Sequence, residues 1–277
     1  MAVSIKLKTR LRTIGSLNTI FNALQVITIA RMQKVRERHK NCQRYLAEVR
    51  EMGDHLYFSR YSKIISQGKI LTILFSSNRG FCGAFNQNLS YRTEGFIKES
   101  KNKVDFMVFG RKGAEFLRSK KQTVRNSFLG EDYDFNFFAK LAAEIIGGYQ
   151  KGELSEFHLI FNRFRSVMRQ DTLARQIIPF VADQPPTAEY YILEPDKEIV
   201  TEKVFEQFVA ARLYFNYLDS QLGELSARMF TLKGAIENSK ELVGNLTLNL
   251  NKERQQSITR ELLEIISSSE SLKEAKY

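Results

Sequence analysis

The sequence predicts an α/β protein in which the N- and C-terminal helices form a long antiparallel coiled coil, with an open α/β domain inserted between them. Three observations predict it. All four prolines, Pro179, Pro185, Pro186 and Pro195, fall in one short stretch, so neither end of the 277-residue chain holds the residue that removes a helical hydrogen bond and clashes with the preceding turn. Both ends carry apolar residues on a seven-residue step. Between them, strands and helices alternate around a glycine-rich turn.

The first segment, 1–62, steps by seven from Leu7 through Ile14, Phe21, Thr28, Val35, Cys42, Val49 and Leu56, with Leu17, Leu24, Tyr45 and Met52 three residues on. That spacing is a coiled-coil seam. Arg31 and Arg38 stand at companion positions where an apolar knob is expected. Either an acidic partner meets them or the seam opens to solvent there.

The middle segment, 68–195, opens with the buried-strand pattern KILTILFS, Lys69 to Ser76, followed by the turn SSNRGFCGAFNQN and a helix. A second unit has Val104 to Phe109 as strand, Gly110 to Gly113 as turn and Ala114 to Lys120 as helix. A helix over Phe137 to Ile146 and a strand over Glu156 to Phe161 follow, and the basic stretch Asn162 to Gln176 reads as a further strand or hairpin. The alternation implies a mostly parallel, Rossmann-like sheet with helices on its faces. Gly80-Phe-Cys-Gly83 lacks the third glycine of a dinucleotide fingerprint and the GK[ST] ending of a phosphate loop. A tight turn explains it without a ligand, and Arg79 beside it is an anion holder or a structural ion pair.

The last segment, 197–277, has the stronger seam: Leu218, Leu222, Leu225, Met229, Leu232, Ile236, Val243, Leu246 and Leu250, with Ser239 in the single gap. Ile258, Leu262, Ile265 and Leu272 continue a narrower stripe. The economical pairing is intramolecular and antiparallel, and pairing between two copies is the alternative. At 1.5 Å per residue the second helix, up to roughly 120 Å long, outruns the first by roughly 35 Å. An overhang lined with Asn251, Lys252, Arg254, Gln255, Gln256 and Thr259 is expected to sit inside a partner's cavity, because a lone helix is marginal in water.

Net charge is +11, and its placement carries more than its size. Residues 1–66 hold 13 Lys or Arg against 4 Asp or Glu, while residues 197–277 hold 11 against 12. Before Glu37 there is no acidic residue. Such a helix seeks nucleic acid, an anionic membrane or a carboxylate-rich protein surface. No apolar run approaches the roughly 20 residues that span a bilayer, and no leader with a small-residue cleavage site precedes the first helix, so a soluble, unsecreted protein is expected. Cys42 and Cys82 read as reduced intracellular thiols, and His39, His55 and His158 form no metal spacing. Neither a catalytic triad nor a paired-carboxylate arrangement is apparent.

Five ordered segments resemble the γ subunit of F-type ATP synthases over nearly the whole chain. They are LNLNKERQQSITRELLEII from Leu248, SARMFTLKGAIEN from Ser226, the loop SSNRGFCGAFN, IFNALQVITIARM from Ile20, and YILEPD from Tyr191. The resemblance implies a rotor shaft inside a ring of α and β subunits, with the α/β domain against the ε subunit and the c-ring. It implies one copy per complex, no cofactor, no catalytic or metal-binding residue, no nucleic-acid partner and only indirect membrane contact. ATP chemistry would take place on β. Arg31, Lys34 and Arg36 are the expected contacts to acidic levers on β, and Arg254, Gln255 and Thr259 to β loops. Ile14, Phe21, Leu24, Val35, Leu225, Met229, Leu232 and Ile236 are the expected seam. The place expected is the cytoplasmic face of a bacterial inner membrane, with an organelle as the alternative. The chain departs from the family pattern at Asn22, Leu24, Asn78, Ala84, Ser268 and Ser269. A basic scaffold for nucleic acid or anionic membrane, a nucleotide-binding enzyme and a diverged rotary ATPase are the competing readings.

Overall fold

A computed structural model describes residues 2–56, 58, 61, 68–100, 102–180 and 193–274. Pro185, Pro186, and Tyr191 and Ile192 of YILEPD lie outside the described residues. The elements run α1 (Ala2–Leu56), β1 (Lys69–Phe75), α2 (Phe85–Glu99), β2 (Val104–Phe109), α3 (Arg111–Ser119), β3 (Thr123–Phe128), α4 (Phe135–Gln150), β4 (Leu154–Phe164), β5 (Gln170–Ile178) and α5 (Lys197–Glu274). They divide into two compact units, Met1–Ile27 with Thr231–Tyr277, and Thr28–Phe230.

In the larger unit the sheet has the order β3-β2-β1-β4-β5. Strands β1 to β4 pair in parallel, and β5 returns antiparallel to β4 as a hairpin. β1 is central because six of its seven residues, Ile70 to Phe75, are buried and able to face neighbours on both sides. Its side chains alternate, as a pleated strand requires. Leu71, Ile73 and Phe75 join the core shared with α4 and with residues of α1 and α5, whereas Ile70 and Leu74 join a second core under α2 and α3.

One strand was not expected from the sequence. β3, TVRNSF, lies at the sheet edge with half of its residues exposed, so the apolar run that marks a buried strand is missing. Its Arg125, with Lys69, instead neutralises Asp105, which is 2% exposed on β2, at 3.2 and 3.4 Å.

Within this unit α1 and α5 run antiparallel. The Tyr45 hydroxyl donates to Gln207 at 3.0 Å, the Cys42 thiol to the Ala211 carbonyl at 3.7 Å, and the Ser226 hydroxyl to the Met32 sulfur at 3.6 Å, so position rises along one helix as it falls along the other. α5 is also stitched to the strand ends. Ser220 Oγ donates to the Phe75 carbonyl at 3.2 Å, Asp219 accepts the Phe164 N–H at 3.2 Å, and Gln170 donates to the Gly223 carbonyl at 2.7 Å.

The seven-residue step of α1 is present, but its companions are displaced. Leu17, Tyr45 and Met52 are exposed and only Leu24 is partly covered, whereas Leu11, Asn18, Gln25, Met32, His39, Leu46 and Gly53, four residues beyond the seam residues Leu7 to Val49, are all buried or partly covered. At 3.6 residues per turn a step of four faces the same side as well as a step of three does, and the contacts on that side decide. α5 has its seam where the spacing predicts, with Leu218, Leu222, Leu225, Leu232, Ile236, Ser239 and Leu246 buried and Met229, Val243 and Leu250 partly so.

The smaller unit is the two helices alone. Ile14, Phe21 and Leu24 of α1 are partly covered, and Ser239 of α5 donates to Asn18 Oδ1 at 3.3 Å in the middle of the seam. Asn22, where the family resemblance expects lysine, donates to the Asn18 carbonyl at 2.8 Å and to its side-chain oxygen at 3.4 Å. Residues 251–268 of α5 are all exposed, including Ile258, Leu262 and Ile265.

Contrary to the expectation that no run is long enough, one helical stretch, Ile5–Asp54, contains an 18-residue window of mean hydropathy 1.2, and is by length and composition apolar enough to cross a membrane. The uncharged run is 13–30, and it includes the coiled-coil seam residues Ile14 and Phe21.

Candidate functional sites

The glycine-rich loop is built by its neighbours in the larger unit. Gly110, at φ 95°, lies so close to the Ser76 carbonyl that a Cβ would collide with it. The first turn of α3 leaves its N–H groups without helical partners, and the loop supplies acceptors. Arg111 N–H donates to Asn78 Oδ1 at 3.1 Å, Lys112 N–H to the Ser77 carbonyl at 3.0 Å, and Gly113 N–H to Ser76 Oγ at 2.8 Å. Those donors would otherwise cradle an anion, so the loop is a cap for α3. Gly83 has a positive φ of 54°, whereas a Cβ at Gly80 would meet open space. Asn78, where the family pattern has aspartate, does what a carboxylate cannot: its amide also donates to the Leu129 and Gly130 carbonyls, at 3.3 and 3.1 Å.

Beside this loop lies a cleft of about 260 Å³ at the C-terminal ends of β1 to β3. Its walls carry Arg31, Lys34 and Arg38 of α1, Arg79 of the loop, Glu131 and Asp132 of the β3–α4 connection, and Glu224 and Arg228 of α5. The carboxylates are spoken for. Glu131 bridges Arg31, at 2.8 Å, and Arg79; Asp132 accepts two bonds from one Arg38 nitrogen, at 2.7 and 2.9 Å. The hydrogen bond and charge of Arg31, with Arg79 adding to them, hold the Glu131 carboxyl below the usual carboxylate range. Burial pushes the Glu224 carboxyl up, against the pull of Arg228 2.6 Å away. Arg228 also donates to the carbonyls of Gly80 and Arg79, at 3.3 and 3.4 Å. Tyr133 closes the turn by accepting the Gly130 N–H at 2.8 Å while its ring packs on Phe109, Phe137 and Tyr217.

Of the residues singled out in the sequence, Arg31 and Lys34 therefore line one cleft, while Arg36 is exposed outside its lining. Arg254, Gln255 and Thr259 lie in the smaller unit on the uncovered part of α5, with Thr259 Oγ1 donating to the Gln255 carbonyl at 3.0 Å. The seam residues Val35, Leu225, Leu232 and Ile236 are buried, and Ile14, Phe21, Leu24 and Met229 are partly covered. Sequence reasoning missed Glu131 and Asp132. The signal available was the run Glu131-Asp132-Tyr133-Asp134 in an otherwise basic chain. Arg31 and Arg38 flank the seam instead of interrupting it, and the acidic partner that their spacing allowed is this loop of the same chain.

Both thiols are free and buried, and burial raises Cys42 to about 12. His158 is buried against Phe96 with Glu156 at 2.6 Å, and burial lowers its pKa. Among the described residues no group of three or more His, Cys, Asp or Glu comes together that could hold a metal ion.

In the larger unit the terminal helices pair antiparallel against the inserted five-stranded sheet, and in the smaller unit the same two helices pair alone, which defines a coiled-coil protein with an inserted α/β domain. The sequence family described as ATP synthase matches residues 4–272. The ATP synthase gamma chain of Geobacter metallireducens is 33% identical, over 99% of this chain and 100% of the relative, and that of Geotalea daltonii is 34% identical over the same shares. Among solved structures, a chain of the Euglena gracilis mitochondrial ATP synthase OSCP/F1/c-ring aligns with a TM-score of 0.69 at 17% identity, over 100% of this chain and 96% of that one. The rotor of the same enzyme gives 0.65 at 16% identity, over 93% and 99%. The chain belongs to the ATP synthase gamma chain family.

Proposed function

We propose that this chain is the central-stalk rotor of an ATP synthase or ATPase, turning with a c-ring and imposing its asymmetry on catalytic sites carried by other subunits. The observation that carries the reading is full-length membership of the gamma chain family together with a helix end, residues 251–268, that is exposed throughout. Exposed Ile258, Leu262, Leu263 and Ile265 at 46 to 65% would be costly in a free helix and suit a cavity formed by partner subunits.

The partners in this reading are α, β and ε subunits and the c-ring, with one copy of this chain per complex, held at an energy-transducing membrane and, in a bacterium, on its cytoplasmic face. The three segments 1–62, 68–195 and 197–277 divide the work. The terminal helices reach the α/β ring, and the inserted domain meets ε and the c-ring. Arg31, Lys34 and Arg36 face acidic β segments, and Arg254, Gln255 and Thr259 face β loops. The chain itself contributes no catalytic group.

Purification through a tag on this chain, followed by native mass spectrometry, tests the assembly: α, β, ε and c subunits with a single tagged copy are expected, and absence of α and β would overturn the reading. A double-mutant cycle between Arg254 and a facing β carboxylate tests the contact, which fails if ATPase rate and assembly show no coupling.

A further inference from the structure

The cleft pairs two arginines of α1 with carboxylates of the chain's own β3–α4 connection; Arg31 is one of the residues that the proposed function directs at acidic partner segments, and Arg38 lies two residues beyond Arg36, the last of them. Arg31 and Glu131 remain 49 and 45% exposed, and Arg38 and Asp132 34 and 51%, so both pairs sit on the rim where another carboxylate can reach them. Ion pairs this exposed are weak and exchangeable, because water screens the charges and long side chains give up freedom to hold one geometry.

The backbone that carries the carboxylates is anchored on several sides. Asn78 ties the Leu129 and Gly130 carbonyls at 3.3 and 3.1 Å, Tyr133 receives the Gly130 N–H at 2.8 Å, Gln221 of α5 donates to the Glu131 carbonyl at 3.4 Å, and Asp134 caps α4 through the Phe137 N–H at 2.9 Å. The loop thus presents two adjacent carboxylates from a tied backbone, with Arg31 and Arg38 facing them. Arg79 shares Glu131, and Lys34 completes the basic rim.

We propose that Glu131 and Asp132 are an intrachain competitor, occupying Arg31 and Arg38 in place of an acidic segment of a partner subunit and so limiting how tightly that segment docks on α1. The inference rests on the reading that this part of α1 meets an acidic partner surface. A partner carboxylate gains an arginine only by displacing an internal one, so the docking is weakened to a level at which it can be made and broken. When the partner withdraws, the loop retakes the arginines.

The test uses the full chain reconstituted with the purified α and β subunits of its complex. Three forms are compared with the parent: Glu131→Gln with Asp132→Asn, Arg31→Gln with Arg38→Gln, and all four substitutions together. Circular dichroism and melting confirm that each is folded. Freed arginines should bind the partner more tightly, so the acid-to-amide form is expected to hold the assembly with several-fold higher affinity at low salt, and the gain should vanish with all four substitutions and at high ionic strength. Arginine loss with the acids intact should weaken assembly modestly. If arginine loss weakens assembly while the acid-to-amide form binds no better than the parent, competition is overturned and the docking reading stands. If neither form changes assembly, the docking reading itself fails and the competitor has nothing to compete with.

Discussion

Replacing Asn78 by alanine isolates what the glycine-rich loop does. The side-chain oxygen accepts the Arg111 N–H at 3.1 Å at the start of α3, and the amide donates to the Leu129 and Gly130 carbonyls at 3.3 and 3.1 Å. Loss of a helix N-terminal cap costs about 1 kcal/mol. The two donated bonds end on a connection that water reaches, so each contributes about 0.5 kcal/mol, the low end for a net hydrogen bond. Asn78→Ala should therefore lower the stability of the 28–230 unit by about 2 kcal/mol. Asn78→Asp keeps the acceptor, loses both donors and adds a favourable negative charge at a helix start worth about 0.3 to 1 kcal/mol, so its loss should be below about 1 kcal/mol. Urea unfolding of the full chain, followed by near-ultraviolet circular dichroism of the tyrosines around Tyr133 and Tyr217, reads the difference. With a slope of about 3 kcal/mol per M the alanine form shifts the midpoint by about 0.7 M. An alanine form within 0.5 kcal/mol of the parent would refute the capping account, as would an aspartate form that loses as much as alanine. Addition of ATP or a dinucleotide should shift none of the three midpoints.

Three further outcomes are expected. Leu232→Ala, at a fully buried seam position, should cost the two-helix unit about 2 to 4 kcal/mol, seen as faster amide exchange in residues 1–27 and 231–250. Cys42, raised by burial to about 12 against roughly 8.5 for a free thiol, should react with a thiol reagent on the order of 10³ times more slowly than a small thiol in the native protein, and Cys82 should also be protected, with both reacting at once in urea. For His158 the folded pKa is depressed, so its contribution to stability is fully present above the unfolded value of 6.5 and is lost as pH falls toward the folded value. Melting curves from pH 8 to pH 5 should show a decline on acidification that His158→Gln reduces; an unchanged decline would assign the effect elsewhere.

The frame of the fold was legible because its signals are periodic. The α5 seam is long enough for nine apolar positions to agree, and β2 was bounded at both ends by valine and phenylalanine inside a polar setting. β3 was not legible because an edge strand satisfies itself with charge and needs no apolar run. The companion positions of α1 were misplaced because an apolar residue at the third step, such as Leu17, hid the covered one at the fourth, Asn18. A polar residue inside a seam gives no hydropathy signal. The sequence leaves Arg31 and Arg38 with either an acidic partner or an open seam, and the loop that answers them lies about a hundred residues away, so no local pattern joins the two.

The contact of Ser239 with Asn18 bears on a problem that every regular seam creates. A repeat of seven looks the same to itself after a slide of one heptad, so two such helices have several alignments of nearly equal apolar overlap. Here one rung is polar on both strands, and Asn22 leans onto it from the next turn. Sliding either helix by seven residues would set Asn18 opposite Leu232 or Leu246 and strand its amide among leucines. This polar rung, with the contacts of Cys42, Tyr45 and Ser226 farther along the same helices, favours a single alignment among look-alikes, and with it fixes which residue of α5 is the first to emerge beyond the end of α1.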